Sequence, residues 1–191
     1  LCCSILYRND APARQLASLA MATALGIVDA LCEYGIKAQT KWPNDVLVGD
    51  AKIAGILCEL RPGAAVIGIG LNVSMSAAEA GRIDQPATSI LIETATVQAP
   101  KDVLPILLQA LSPRLDTWKR DGFAGLRSDW CLHCLALGQD ITIDDGDTHQ
   151  TGVLSGFGDA GQLLLQPHDL AKDGSSTAVE IWSGHLRLTD R

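Results

Sequence analysis

The stretch TKWPNDVLVGDAKIAGILCEL (residues 40–60), followed after a short break by AAVIGIGLNV (residues 64–73), decides the fold. VLVG and KIAGILCEL are rich in aliphatic and β-branched residues, and the Gly49-Asp50 pair between them favours a tight turn, so they read as a β-hairpin. Pro62-Gly63 marks a second turn, and AAVIGIGLNV is then a third apolar strand. Just upstream, IKAQT (residues 36–40) is a strand that runs into a Lys-Trp-Pro-Asn-Asp cluster. Pro43 fixes its own φ and biases Trp42 toward extended backbone, which leaves Lys41 on a stiff segment beside an indole.

Ahead of this block, Leu16, Leu19, Ala20, Thr23, Ile27, Ala30, Leu31 and Tyr34 recur at helical spacing, which predicts a long amphipathic helix over residues 12–34. Pro12 suits its first turn and Gly35 its left-handed end. The chain opens with an apolar strand, residues 1–7. A strand, a helix and then antiparallel strands make an α+β domain whose mixed, mainly antiparallel sheet is covered by helices on one face. Downstream, NVSMSAAEAGRIDQPATS (residues 72–89) reads as a polar connection, and helical patterns return at about residues 102–118 and 123–135. Beyond Gly138, DITID, HQTGVLSGFG, GQLLLQP, AVEIWSG and HLRLT are short alternating strands cut by Gly and Asp, the pattern of a small all-β barrel. The expected organisation is one domain over residues 1–137 and a small C-terminal barrel over residues 138–191.

With 191 residues, 47% of them hydrophobic, the chain can bury a full core. Its 15 Lys+Arg against 22 Asp+Glu give a formal charge of −7, which argues against a nucleic-acid surface and requires any anionic ligand to be held by a few well-placed groups. No apolar run approaches the ~20 residues a bilayer span needs, and no basic segment precedes an apolar one at the start. The sequence therefore reads as a soluble, cytoplasmic protein with no membrane partner. Cys2, Cys3, Cys32, Cys58, Cys131 and Cys134 fall mostly within apolar patterns and read as reduced core residues. CLHC (residues 131–134) has metal-like spacing, but a structural zinc site takes four ligands and a second pair is absent, so no metal site is expected.

A strand-end lysine next to an indole is a compact positive charge suited to a carboxylate or phosphate oxygen, although a lone lysine at such a place is as readily a solvated one. Asn44 and Asp45 either cap the turn or position a ligand hydroxyl or a magnesium ion. In GIGLN (residues 68–72) the alternate glycines let a flat ligand approach, and Asn72 offers a donor and an acceptor to an adenine-like edge; as plain strand glycines they need no ligand. This is not a dinucleotide fingerprint, since the third glycine and the following helix are missing.

Taken in order, KWPNDVLVGDAKIAGILCEL and VIGIGLNV resemble the biotin protein ligase family, whose pattern is Lys-Trp-Pro-Asn-Asp, a hairpin, Lys-x-Ala-Gly-Ile-Leu-x-Glu and then Gly-x-Gly-x-Asn. PATSI (residues 86–90) and the C-terminal strands add to a resemblance that extends over essentially the whole chain and is strongest at residues 41–73. It implies the catalytic fold of biotin and lipoate ligases. It also implies activation of biotin by ATP, with Mg2+, to biotinyl-5′-adenylate and pyrophosphate, and transfer of the biotinyl group to a lysine on a biotin carboxyl carrier domain of a carboxylase. By the same resemblance Lys41 is the catalytic residue, set by the biotin carboxylate and the α-phosphate, with Gly55 beside it on the biotin side. Lys52, Gly70 and Asn72 would line the nucleotide, Asn72 facing the adenine; Lys52 reads equally as a hairpin surface charge.

The family's Gly-Arg-Gly-Arg loop and the Thr-Asn or Ser-Asn strand before it are not in this sequence. The expectation is therefore a chain that lacks its upstream part, holds half a biotin pocket and is an incomplete enzyme. No DNA-binding helical segment precedes the ligase part, so a repressor role has no support, and a homodimer stays open. Two other readings remain. One is a lipoate ligase relative, against which the Trp-Pro-Asn-Asp cluster and the barrel weigh; the other is a non-catalytic binding module on the same scaffold, for which the missing loop speaks.

Overall fold

A computed structural model describes residues 1–8, 12, 15, 18–61, 63–146, 149–168 and 177–189. The expectations placed on Leu16 and Pro62 lie outside the described residues. Five strands, β1 (Cys2–Arg8), β2 (Gln39–Lys41), β3 (Asp45–Val48), β4 (Ala51–Arg61) and β5 (Ala64–Leu71), form an antiparallel sheet in the order β1-β5-β4-β3-β2. The β3–β4 hairpin turns at Gly49, whose φ of +60° is the conformation a tight turn asks of a glycine. β1 lies at the far edge, because its partner in the ladder is β5.

Helix α1 (Leu19–Cys32) crosses one face of this sheet. Its expected amphipathic character is not what the structure shows: every residue except Asp29 and Cys32 is buried, because a second helix covers the side that would otherwise face water. It ends as expected, with the Gly35 and Ile36 N–H groups donating to the Cys32 and Leu31 carbonyls at 2.9 and 3.1 Å. A short helix, α2 (Ala77–Ala80), interrupts the stretch read as a polar connection, and a second, α3 (Ile90–Thr94), follows directly after it. Each starts at a serine whose hydroxyl caps it, Ser76 and Ser89. The Ser76-x-x-Glu79 capping box was a readable signal for the first.

The covering helix is α4 (Pro100–Asp121), longer than the predicted 102–118 at both ends. It crosses α1 so closely at Gly26 that a Cβ there would sit 2.7 Å from Leu111 Cδ2 and 2.9 Å from Leu111 Cα. Gly26→Ala would gain helix propensity, about 1 kcal/mol, but the clash is partly with backbone and forces the helices apart, at about 1–3 kcal/mol. The variant is expected to be net destabilised in urea unfolding. Arg114 of α4 donates its Nε and one terminal nitrogen to Asp29 of α1, at 2.6 and 3.1 Å, and its other terminal nitrogen to Asp129. The predicted helix over 123–135 is a 3-10 turn, Phe123–Gly125, followed by α5 (Arg127–His133).

The remaining strands, β6 (Asp140–Asp144), β7 (His149–Phe157), β8 (Leu163–Pro167), β9 (Val179–Ile181) and β10 (His185–Leu188), make a second five-stranded antiparallel sheet in the order β10-β6-β7-β8-β9. This is the small all-β unit expected at the C-terminus. One contiguous apolar core joins it to the first sheet, with Phe157 of β7 packed edge-to-face on Trp130 and Phe123 at 5.9 and 6.4 Å. We propose the boundary between the two units at residues 137–138, where α5 has ended and β6 has not begun. Among the described residues no helix is long and apolar enough to cross a membrane.

Candidate functional site

Antiparallel register places Lys41 opposite Asp45, Asp45 opposite Gly55, Gly55 opposite Gly70 and Gly70 opposite Cys2. Directly opposed residues point to the same side, so these five form one row across all five strands, on the face turned away from the helices. The adjoining row runs Leu57, Gly68, Ser4. With Gly55, Gly68 and Gly70 side by side, the middle of this face is bare backbone: a floor on which a flat molecule can lie.

Lys52 reaches the floor through an irregularity. Lys52 and Gly55 are three residues apart and would face opposite sides of a regular strand. β4 instead carries a bulge: Ala54 pairs with Val46 and Lys52 with Leu47, which leaves Ile53 as the extra residue. Ile53 and Ala54 are therefore both buried in the core, and Lys52 swings to the glycine side. There its Nζ lies 2.6 Å from Asp45 Oδ1, and its stem passes over Gly55, where a Cβ would meet Lys52 Cε at 3.0 Å and Nζ at 3.2 Å.

The backbone around Lys52 is pinned on its free edge. Its N–H donates to the Pro86 carbonyl at 2.9 Å and its own carbonyl accepts from Thr88 N–H at 3.0 Å, so the PATSI segment docks beside the bulge. Asn72 completes the clamp, its side-chain Nδ2 donating to the Lys52 and Thr88 carbonyls at 3.3 and 3.0 Å. Its amide donor is therefore engaged in holding the chain.

Two adjoining depressions occupy the face, of about 410 and 560 Å3, and both are lined by Cys2, Lys52, Gly55 and Gly70. The smaller extends to Asn72, Met75 and Gln85, and the larger to Asn44, Asp45 and Gly68. The structure thus brings together four of the residues singled out in the sequence, Lys52, Gly55, Gly70 and Asn72. Lys41 stands at the β2 end of the row and lines neither depression. Trp42 does not stand over the site either: it is 3% exposed, and its indole N–H donates to the Gly161 carbonyl of the second sheet's β7–β8 turn at 3.1 Å. The Trp42–Pro43 peptide bond is cis. Asn44 is a structural clasp, its Nδ2 donating to the Ile56 carbonyl at 2.7 Å and its carbonyl accepting from Ile56 N–H at 2.9 Å.

Sequence reasoning missed Cys2, Met75 and Gln85. The register of β1 against β5 reveals the first, and the other two lie in a stretch without periodicity. Burial pushes the Cys58 and Cys134 thiols up to about 11, whereas Cys2 and Cys32 are exposed. Since the thiolate is the reactive form, timed alkylation at pH 8 followed by mass spectrometry is expected to mark Cys2 and Cys32 well before Cys58 and Cys134. Among the described residues no three His, Cys, Asp or Glu side chains cluster to hold a metal.

Comparison with known proteins fits this geometry. A model of the biotin/lipoate A/B protein ligase family matches residues 1–76. The biotin–[acetyl-CoA-carboxylase] ligase of Paracoccus denitrificans is 32% identical over 176 residues, which cover 85% of this chain and 72% of that protein. The protein of the same name from Mycobacterium tuberculosis is 29% identical over 161 residues, 82% of this chain and 59% of that protein. The apo biotin protein ligase of Aquifex aeolicus superposes with a TM-score of 0.82 at 29% identity, covering 98% of this chain and 82% of that one. The Aquifex enzyme in complex with biotin and ATP superposes with a TM-score of 0.76 at 26% identity, covering 99% and 78%. From the extent of the Paracoccus match and the shared fold, the chain belongs to the biotin protein ligase family of enzymes.

Proposed function

We propose that this chain activates biotin with ATP to biotinyl-5′-adenylate, releasing pyrophosphate, and passes the biotinyl group to a lysine on a biotin carboxyl carrier domain of a carboxylase. The observation that carries this reading is the Lys52 ammonium held over Gly55 where the two depressions meet. In such a reaction the carboxylate attacks the α-phosphorus and negative charge gathers on the non-bridging oxygens. A fixed cation at that point favours the transition state over the bound substrates. Biotin would lie along Gly55 and Gly68, and the nucleotide along Gly70 and Asn72, with Lys52 serving both.

This moves the catalytic charge from Lys41, where the sequence reading put it, to Lys52. Gly55 keeps its biotin-side role, Gly70 its nucleotide-side role, and Asn72 acts by holding the backbone of Lys52. A Mg2+ ion, entering with ATP, would be held mostly by phosphate oxygens and water, which suits a site whose one lining carboxylate among the described residues is Asp45. The described residues give biotin a floor and one wall, and Leu6 and Leu57 on the same face stand 62% and 64% exposed, so binding by this chain is expected to be loose. The test is transfer of labelled biotin, with ATP and at saturating biotin, to an isolated carrier domain. Slow transfer is expected, in place of the incomplete enzyme expected from the missing loop, because the lysine and the glycine floor proposed to activate biotin both belong to this chain, and its absence at every biotin concentration overturns the proposal.

A further inference from the structure

We infer that Lys41 is a positioning residue that takes over Asp45 when Lys52 is drawn onto the anionic ligand, an inference that rests on the role just proposed for Lys52. Two cations flank one carboxylate. Lys52 closes on Asp45 at 2.6 Å. Lys41 is directly opposite Asp45 across the β2–β3 ladder, a placement that sets Cβ atoms about 4.5–5.5 Å apart on one face. Among the described residues Lys41 makes no ion pair and is only half-buried, so its ammonium is free to swing on its four-carbon stem.

The need for a second cation follows from charge. A carboxylate or phosphate arriving at Lys52 lies close to Asp45, which lines the same depression, and two anions sharing one lysine repel. If Lys41 turns onto Asp45, Lys52 is released to the ligand and the local charge stays balanced. The hairpin holds this arrangement in register, because Trp42 is anchored to Gly161 and Asn44 to Ile56, on either side of Pro43. Lys41 thus acts through Asp45 and Lys52 and does not itself touch the ligand.

The experiment compares Lys41→Met, Lys41→Arg and the double variant Lys41→Met with Asp45→Asn in pyrophosphate release and in label transfer, and checks each fold by thermal melting. Lys41→Met is expected to raise the KM for biotin by about tenfold with little change in kcat, since a like charge is left uncompensated beside the binding point. Lys41→Arg is expected to keep the wild-type KM. The double variant is expected to return the KM to within about threefold of wild type, because the anion that Lys41 served is gone. A wild-type KM in Lys41→Met, or a raised KM that Asp45→Asn does not relieve, overturns the inference while leaving the ligase reading intact. A wild-type chain that neither binds biotin nor transfers it overturns both, since the inference requires an anion at Lys52.

Discussion

Replacing Lys52 by methionine is expected to cut adenylate formation by about a hundredfold or more while leaving the melting temperature almost unchanged. The two outcomes separate because the ammonium has different values in the resting protein and in the reaction. At rest it makes an ion pair with Asp45 in which the side chains are 31% and 24% exposed, and a pair so open to solvent contributes about 1 kcal/mol or less. In the reaction it would meet charge that develops only in the transition state, where loss of one well-placed group costs about 3–4 kcal/mol. Methionine keeps the length and apolar bulk of the stem over Gly55, so the floor is not reshaped. Pyrophosphate release from biotin and ATP, read beside a thermal melt, decides the matter. A rate near wild type would return the catalytic charge to Lys41 or elsewhere.

The largest effect on stability is expected from Trp42→Ala. Trp42 is 3% exposed and sits in the core common to both sheets, and its indole N–H is bonded to the Gly161 carbonyl. Truncating a buried tryptophan to alanine costs about 3–5 kcal/mol. For a chain of this size that corresponds to a fall in Tm of roughly 10 °C. The loss should weaken the seam between the sheets first, because Gly161 packs closely there: a Cβ on it would lie 2.7 Å from Met21 Sδ and 2.8 Å from Ser18 Cβ of the first unit. Protection of the Gly161 N–H, which donates to the Gly158 carbonyl in the turn that Trp42 anchors, reports on that seam in hydrogen exchange, and unchanged protection together with an unchanged melt would refute the assignment.

Much of the scaffold was legible because local signals agree with the fold. Gly49-Asp50 turns the hairpin, Gly35 ends α1, and the strands after Gly138 pair in sequence as far as β9. The face carrying the site was legible too, since Gly55, Gly68, Gly70 and Asn72 stood out by type. The choice of Lys52 as the reacting lysine, which we propose, was not. Lys41 looked aimed because a tryptophan and a proline follow it, but the indole's direction is decided by Gly161, some 119 residues away, which no local pattern encodes. Lys52 read equally as a nucleotide-side residue and as a hairpin surface charge; regular alternation would set it on the face opposite to Gly55, and only the bulge at Ile53, set by pairing with β3, reverses that. The two-sided burial of α1 was hidden for the same reason: it depends on where α4 packs.

The glycines of this protein answer to two different judges. At Gly152 a Cβ would lie 2.3 Å from the Gln166 carbonyl oxygen, and at Gly26 and Gly161 the clashes are nearly as severe, so substitutions there damage the folded state and hand the chain to cellular proteases. At Gly68 and Gly70 the nearest atoms a Cβ would meet are the Leu57 and Gly55 carbonyls, at 3.4 and 3.8 Å, so the fold is expected to accommodate it and the chain to survive quality control at normal abundance. What the added methyl occupies is the space above the floor, which is where we propose the ligand lies. Substitutions of this second kind therefore leave a cell stocked with intact, inert copies that still present the rest of their surface to partners, a state that measuring protein levels does not reveal.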